Sequence, residues 1–170
     1  MTDQKRNLVL TGFMGTGKTT VGTLVAGLLD MTFVDSDQEI IARTGMPIPE
    51  MFQKFGEEGF RRVETVMCKW LASRADVVIA TGGGMLVNVH NLVVMRASGL
   101  VVCLTASPDA IRERLETASE FSGRPLATRW EELLEKRHSA YAIIPNHIDT
   151  TGKTPDQVAA EVVALWQSSR

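Results

Sequence analysis

One segment near the start of the chain, Gly12–Thr19 (GFMGTGKT), matches the pattern G-x-x-x-x-G-K-[ST] in full. The apolar run Leu8–Leu10 precedes it, and a helical pattern follows over Lys18–Leu29. Glycines let the backbone curl so that consecutive N–H groups point at phosphate oxygens, and the helix adds the positive end of its dipole. Lys18 then reaches the β- and γ-phosphates, and the Thr19 hydroxyl can ligate Mg²⁺. The motif requires an α/β fold that places a strand, a tight turn and a helix in this order.

A glycine-rich turn with a solvated lysine is the simpler interpretation of the same residues. The complete motif between a strand and a helix favours phosphate binding instead. A phosphate loop alone leaves GTPases, motors, helicases and small-molecule kinases open. A chain of 170 residues has little room for a motor or helicase, and the guanine-recognition pattern N-K-x-D is absent. These observations favour a compact kinase that places a small acceptor beside the γ-phosphate.

Short apolar and β-branched runs alternate with longer helical patterns along the chain. Such alternation is typical of βαβ units, and continuous apolar runs indicate strands covered on both faces. No repeat or linker interrupts the pattern, so we expect a single domain over 1–170 with a parallel sheet and helices on both faces. The predicted strands are Leu8–Thr11, Thr32–Asp35, Asp76–Ala80, Leu100–Leu104 and His147–Asp149.

Two helices in the second half carry start signals, and a polar segment lies between them. Ser107-Pro108 and Thr154-Pro155 each place a capping hydroxyl before a proline at the first turn. Residues 116–128 are polar, contain Gly123 and Pro125, and have few apolar side chains. The composition predicts a mobile lid there.

Composition excludes several classes of partner. Eighteen Lys and Arg residues stand against twenty Asp and Glu residues, a net charge of −2, so the chain has no overall basic field for nucleic acid or an anionic membrane. Its first residues have no export signal, and no apolar run is long enough to cross a bilayer. Cys68 and Cys103 lie in apolar runs and are expected as buried, reduced thiols. We expect a cytoplasmic monomer.

Two carboxylates follow the second predicted strand, in Asp35-Ser36-Asp37. Ligands bind at the carboxyl ends of strands in open parallel sheets, and residues two apart on an extended strand point to the same side. One carboxylate would hold Mg²⁺ through water, and the other would accept a proton from an attacking hydroxyl. Either Asp35 or Ser36 can also serve as the N-cap of the next helix.

Glycines and arginines supply the rest of the predicted site. Gly82-Gly83-Gly84 directly follows the third strand, where it allows close backbone approach, although a tight turn also needs glycine. Arg61 and Arg62 are adjacent on a helical segment, so only one of them can face the cleft. Glu64 comes three residues after Arg61, which allows the two side chains to pair and fix the guanidinium.

Taken in order, these motifs resemble the shikimate kinase family. That family combines a phosphate loop with D-[ST]-D, G-E-x-x-F-R-x-x-E, G-G-G, R-P-L and R-x-x-x-Y. The resemblance covers nearly the whole chain, and the ordered set is far more specific than any one motif. The matching segments are Gly12–Thr19, Asp35–Asp37, Gly56–Glu64, Gly82–Gly84, Arg124–Leu126 and Arg137–Tyr141.

The resemblance implies a P-loop three-layer sandwich with five parallel strands in the order 2-3-1-4-5. It also implies ATP-dependent phosphorylation of the shikimate 3-hydroxyl, with Mg²⁺. Lys18, Asp37 and Arg124 are the implied catalytic residues, and Thr19 and Asp35 serve the metal. Implied acceptor-binding residues are Asp37, Arg61, Gly82, Gly83, Gly84 and Arg137. Implied nucleotide-binding residues are Gly12, Gly15, Thr16, Gly17, Lys18, Thr19, Thr20, Arg114, Arg124, Lys153 and Pro155, with Arg114 and Pro155 flanking adenine.

The lid departs from the family pattern. The family usually has R-P-L-L and a longer segment before the helical arginine, whereas this chain has Arg124-Pro125-Leu126-Ala127 and only twelve residues between Arg124 and Arg137. Arg129 is therefore an alternative to Arg124 as the lid arginine that contacts the phosphates.

Two other functions compete with this interpretation. A related small-molecule kinase, such as a gluconate kinase, would share the phosphate loop but has less need for the Arg61 and Arg137 pair. A non-catalytic nucleotide-binding module would be expected to lose part of the loop or one aspartate. Both aspartates and the whole loop are present.

The phosphate loop predicts that turnover depends on Lys18. Lys18→Ala should lower kcat by about 100-fold or more while the fold persists, because the ammonium offsets charge on the transferring phosphoryl group. Steady-state assays with ATP, Mg²⁺ and shikimate, with circular dichroism as the folding control, measure this. Near-normal turnover in the variant, or in excess chelator, contradicts the prediction.

Overall fold

Five parallel strands form one sheet in the order β2-β3-β1-β4-β5, as the family resemblance implied. The structure is a computed structural model, which describes residues 6–118 and 129–170. The strands are β1 (Asn7–Gly12), β2 (Thr32–Asp35), β3 (Val77–Ala80), β4 (Gly99–Thr105) and β5 (His147–Asp149). The helices are α1 (Lys18–Leu29), α2 (Ser36–Thr44), α3 (Ile48–Ala72), α4 (Val89–Ser98), α5 (Pro108–Thr117), α6 (Trp130–Ala142) and α7 (Pro155–Ser168).

Side chains of β1 alternate between two hydrophobic clusters, one on each face of the sheet. Leu8 and Leu10 point to the face covered by α1 and α7, where they pack with Val25 and Val162. Val9 points to the opposite cluster, which includes residues of α2 to α6. Because both faces are buried, the strands need continuous apolar runs, which explains the sequence pattern. None of the helices in the described parts of the chain is long and apolar enough to cross a membrane.

Both cysteines lie inside the protein, as predicted. Cys68 on α3 and Cys103 on β4 are buried and form no disulfide. Burial raises the pKa of each thiol to about 11. Neither is therefore a nucleophile near neutral pH, and both act as small apolar side chains.

The structure corrects several predicted boundaries, and β1 and β4 are each one residue longer at both ends than predicted. The third strand begins at Val77 and not at Asp76, because Asp76 has a left-handed backbone with φ 58°. Residues 116 and 117, predicted as the start of the lid, are helical, and α5 ends at Thr117, whose hydroxyl donates to the Glu113 carbonyl at 2.9 Å. The rest of the predicted lid, 119–128 with Arg124, lies outside the described residues.

Strand register brings three loops to the same edge of the sheet. Leu10 of β1 pairs with Ala80 of β3, and Ala80 also pairs with Asp35 of β2. The loops after β1 and β3 and the start of α2, which follows β2 directly, therefore leave the sheet side by side at its carboxyl edge. Just beyond, the Thr81 N–H donates to the Leu10 carbonyl at 2.9 Å, which fixes the start of the loop after β3 against β1.

Candidate active site

The phosphate-loop motif forms a tight turn between β1 and α1. Gly12, Gly15 and Gly17 have φ angles of 137°, 78° and 90°, which L side chains rarely adopt. A Cβ on Gly12 would lie 2.2 Å from the Leu104 carbonyl oxygen. Lys18 is buried at the start of α1, and its Nζ donates to the Gly12 and Phe13 carbonyls at 2.8 and 2.9 Å. The predicted cradle is therefore present, with its ammonium folded over the loop.

Thr19 and Asp35, the predicted metal residues, lie together beside this loop. The Thr19 hydroxyl donates to Asp35 Oδ2 at 3.0 Å. Asp35 is also the N-cap of α2, because its Oδ1 accepts from the backbone N–H groups of Asp37 and Gln38 at 2.9 and 3.1 Å. The Asp35 carboxylate therefore lies beside Thr19, as a metal site requires, and also caps α2, which are the two roles that the sequence allowed.

Magnesium fits this pair of oxygen donors. The described residues contain no group of three or more His, Cys, Asp or Glu side chains that would hold a metal by themselves. Mg²⁺ usually takes one or two protein oxygens, keeps several waters and completes its shell with substrate phosphates. Thr19 and Asp35 match that requirement next to a phosphate loop.

Asp37 points away from Asp35, which corrects the prediction that the two carboxylates share a side. The argument assumed an extended strand, but Ser36 and Asp37 already form the first turn of α2. Asp35 turns toward Thr19, whereas Asp37 turns toward the loop after β3. Ser36 lies between them, and its buried hydroxyl accepts from the Gly82 N–H at 2.8 Å.

Three side chains from three helices meet at the Gly82–Gly84 tripeptide. A Cβ on Gly82 would lie 2.6 Å from Asp37 Oδ1, one on Gly83 would lie 3.2 Å from an Arg137 nitrogen, and one on Gly84 would lie 2.3 Å from an Arg61 nitrogen. A side chain at any of the three positions would therefore crowd Asp37, Arg137 or Arg61. The structure brings all six predicted acceptor residues to one place.

Arg61 faces this cleft and Arg62 faces solvent, so only one of the two reaches the cleft, as the helical spacing predicted, and it is the one that the family resemblance implied. The Arg61 side chain is 27% exposed and the Arg62 side chain 76%. Arg61 forms ion pairs with Glu64 and, at 3.2 Å, with Glu57. Glu57 directly follows a kink in α3 at Gly56, where φ is 68° and ψ 178°. The predicted Arg61–Glu64 pair is confirmed.

Glu64 is buried, and its environment changes its proton affinity. Burial raises the pKa of its carboxyl, the charge of Arg61 opposes this, and the nearby charge of Asp37 adds to the increase. The net effect raises the pKa. The charge of Glu64 therefore interacts with both Arg61 and Asp37, which lie at opposite ends of the Gly82–Gly84 tripeptide.

Arg137 reaches the cleft from α6, and two aromatic residues hold it. It is buried, with its guanidinium 5.9 Å from the centre of the Phe13 ring. One helical turn later, the Tyr141 hydroxyl donates to the Gly83 carbonyl at 2.6 Å. Burial raises the Tyr141 pKa to about 12, with the charge of Arg137 opposing the increase, so the phenol stays a donor.

A cavity of about 240 Å³ opens between these arginines. Arg61, Arg137 and Gly84 line it, together with Glu57, Val87, Leu133 and Lys136. Its wall thus combines three cations, one carboxylate that pairs with Arg61, and a few apolar side chains. Such a lining suits a small carboxylate ligand with an apolar ring face.

The predicted nucleotide-binding residues occupy the other side of the phosphate loop. Arg114 on α5 donates to the Gly15 carbonyl at 2.8 Å, and Pro155 is the first residue of α7. Lys153 forms an ion pair with Glu161 at 2.8 Å, and Thr20 is exposed in the first turn of α1. Roles for Arg114, Lys153 and Pro155 around adenine stay predictions.

Comparison with known proteins gives the family. The family model for shikimate kinase matches residues 14–167. The chain belongs to the shikimate kinase family. The match includes both sides of the cleft, from the phosphate loop to α7.

Individual shikimate kinases agree with this assignment over most of their length. The chain is 44% identical to shikimate kinase of Thermodesulfovibrio yellowstonii over 168 residues, which is 95% of each chain. It is 42% identical to that of Caldanaerobacter subterraneus subsp. tengcongensis over 167 residues, 95% of this chain and 96% of the relative. The structure of shikimate kinase from Acinetobacter baumannii in complex with shikimate superposes with a TM-score of 0.88 at 35% identity, over 99% of this chain and 96% of that one.

Gluconate kinases resemble this shikimate kinase family member in fold alone. A gluconokinase from Sinorhizobium meliloti 1021 has a TM-score of 0.61 at 18% identity, over 97% of this chain and 95% of that one. The two chains share the sheet and helices, and the comparison says nothing about a shared acceptor.

Several residues of this shikimate kinase site escaped sequence reasoning. Tyr141 is the last residue of the Arg137–Tyr141 motif, but the sequence alone indicated no role for it. The available signal was its position four residues after Arg137 on the same helix, which places the two side chains on one face. Leu133 precedes Arg137 by the same spacing. Ser36 and Phe13 lie within matched motifs, but their contacts with Gly82 and Arg137 gave no signal, because those contacts join segments that are distant in the sequence.

The buried Glu64 predicts a specific pH dependence of stability. Its folded-state pKa is raised, so the folded chain holds this proton more tightly than the unfolded chain. The stability that this group contributes is fully present below its unfolded pKa and is lost as pH rises through the raised folded pKa. Urea unfolding across pH should therefore show that wild type loses stability relative to Glu64→Gln over this window. Glu58→Gln, at an 83% exposed side chain, is the control and should leave the profile unchanged. An identical pH profile for wild type and Glu64→Gln contradicts the prediction.

Proposed function

We propose that this chain is a shikimate kinase in activity as well as in family, transferring the γ-phosphoryl group of ATP to the 3-hydroxyl of shikimate. The observation that carries the proposal is the convergence of Arg61, Arg137 and Asp37 on the Gly82–Gly84 tripeptide beside the phosphate loop. Shikimate is a monoanion with several hydroxyl groups. It needs cations at one end and an anionic hydrogen-bond acceptor at the other, which is the charge pattern of this cleft.

Arg61 and Arg137 bind the carboxylate of the acceptor. Their guanidinium groups come from α3 and α6 and line one cavity. Each charge-assisted hydrogen bond contributes on the order of 1.5–3 kcal/mol. Glu64 and Phe13 hold the two arginines in place, so binding loses little side-chain entropy. This pair selects against acceptors that have no carboxylate.

Asp37 binds the hydroxyl end of the acceptor. Its carboxylate lies against Gly82, at the opposite end of the tripeptide from Arg61. It orients the attacking hydroxyl and accepts its proton as the new bond forms. Because phosphoryl transfer has a loose transition state, positioning is the larger of the two contributions.

The phosphate loop and its neighbours bind ATP. Backbone N–H groups of the loop and the start of α1 donate to phosphate oxygens, and Lys18 contacts the transferring group. Thr19 and Asp35 would hold Mg²⁺, which would offset the negative charge of the phosphates. Arg114, Lys153 and Pro155 surround the base, and Arg124 contacts the phosphates.

We also propose that the chain acts as a cytoplasmic monomer, without nucleic acid or membrane partners.

A coupled assay of ADP release tests the proposal. Wild-type protein with ATP and Mg²⁺ should turn over with shikimate and fall to background with gluconate, quinate or nucleoside monophosphates. Product analysis by mass spectrometry and NMR should place the phosphate on the 3-hydroxyl. Faster turnover with gluconate would make the chain a gluconate kinase, and no turnover with any acceptor would make it a binding module.

Adjacent arginines provide a matched pair of variants. Arg61→Lys should raise the KM for shikimate by about tenfold or more, because an ammonium cannot replace a planar bidentate donor. Arg62→Lys should change it less than twofold, because Arg62 is exposed and pairs only with the exposed Glu58 among the described residues. ATP affinity without acceptor, measured by calorimetry, should stay the same in both. Equal effects of the two substitutions, or loss of ATP binding alone in Arg61→Lys, would contradict the assignment.

A further inference from the structure

Thr150, just beyond β5, is fixed to the last residue of β4. Its side chain and backbone are buried, with a relative exposure of 3%. Its N–H and its hydroxyl both donate to the Thr105 carbonyl, at 2.8 and 2.9 Å. A hydroxyl has one proton, so its oxygen is left as an acceptor in a fixed direction.

Arg114 uses that acceptor and connects Thr150 to the phosphate loop. Its Nη1 donates to Thr150 Oγ1 at 3.0 Å and to the Gly15 carbonyl at 2.8 Å, and its Nη2 donates to the Thr150 carbonyl at 3.1 Å. Two oxygens of Thr150 therefore hold the planar guanidinium in place, and its Nη1 also bonds to the phosphate loop.

That contact sets the direction of one N–H group of the phosphate loop. In a trans peptide the C=O and N–H point in opposite directions, and the chain contains no cis peptide among the described residues. Since Arg114 draws the Gly15 carbonyl outward, the Thr16 N–H of the same peptide points into the loop. In this structure the Thr16 N–H donates to the Phe13 carbonyl across the turn, at 3.4 Å.

We propose that Thr150 is a positioning residue for phosphoryl transfer, which acts through Arg114 to orient the Gly15–Thr16 peptide toward the phosphates. The inference rests on the proposed function in one respect, that the loop binds a nucleoside triphosphate. It gives Arg114 a task at the phosphates besides its proposed place at the base. Thr150 itself touches neither substrate.

Inorganic tripolyphosphate is the probe that separates these two tasks, because it has phosphates and no base. Thr150→Val keeps the shape and the backbone bonds but removes the hydroxyl, and Thr150→Ser restores it. Calorimetry should show about tenfold weaker tripolyphosphate binding for Thr150→Val and near wild-type binding for Thr150→Ser. Adenosine binding should change less than twofold. In steady-state assays the KM for ATP should rise while that for shikimate stays within twofold.

Thr151→Val is the control for loss of a hydroxyl in the same turn. Thr151 Oγ1 accepts from the Ser107 N–H and has no bond to Arg114, so tripolyphosphate binding should stay within twofold of wild type. The double variant Thr150→Val/Arg114→Met should bind no more weakly than Arg114→Met alone, since both act on one peptide. If Thr150→Val fails to fold, Thr150→Ala removes the same hydroxyl and should show the same loss of tripolyphosphate binding, with Thr150→Ser again as its control.

Unchanged tripolyphosphate binding in folded Thr150→Val overturns the inference, as does an equal loss in Thr151→Val or a failure of Thr150→Ser to restore binding. A wild-type chain that binds no tripolyphosphate also overturns it. Failure of the proposed function has a different signature. In that case wild type would bind tripolyphosphate in a Thr150-dependent way and phosphorylate no shikimate.

Discussion

Parallel pairing of β1 with β3, and of β3 with β2, is the constraint on which the site depends. In this register Leu10 and Asp35 both lie opposite Ala80, so β2 and β3 end level and β1 continues two residues further, to Gly12. Segments that are distant in the sequence therefore lie within hydrogen-bond distance at this edge of the sheet. The Ser36–Gly82 bond, at 2.8 Å, joins the start of α2 to the loop after β3, and the Thr19–Asp35 bond, at 3.0 Å, joins the start of α1 to the end of β2. A slip of one residue would separate the phosphate loop from the acceptor loop and also reverse which side chains face the core.

Charge in the cleft is local and is set by burial as much as by residue type. The chain has a net charge of −2, yet Arg61 and Arg137 face one cavity while Asp37 lies against Gly82, at the other end of the glycine tripeptide. Buried Glu64 fixes Arg61 at a cost in desolvation, which raises the pKa of its carboxyl. An acceptor carboxylate that displaced Glu64 from Arg61 would leave the charge of Glu64 buried and unpaired. The acceptor carboxylate must therefore bind the part of the Arg61 guanidinium that Glu57 and Glu64, on the same helix, do not contact.

The two halves of the site are oriented through the backbone of the loops between them. At the acceptor end, glycines bring the main chain close enough to contact Asp37, Arg137 and Arg61 directly. At the nucleotide end, Arg114 holds the Gly15 carbonyl, and Gly15 has a positive φ of 78°. Phosphoryl transfer depends mainly on positioning and charge, so a rigid backbone at both ends serves the reaction better than mobile side chains would.

The sequence by itself determined the phosphate loop, the α/β class, all five strands to within one or two residues, and the family. These features are local or ordered along the chain: a glycine pattern, apolar runs and spaced motifs carry them directly. It also determined that one of Arg61 and Arg62 faces the cleft, because 100° per residue is a property of any helix.

Only the tertiary structure decided that Asp37 turns away from Asp35, since the start of α2 depends on the Asp35 cap and on Ser36 meeting Gly82. The Thr150–Arg114–Gly15 chain was likewise decided there, because its residues are up to 135 positions apart and meet only once β4 and β5 pair. Contacts of that kind depend on packing geometry, which no local pattern of residues encodes.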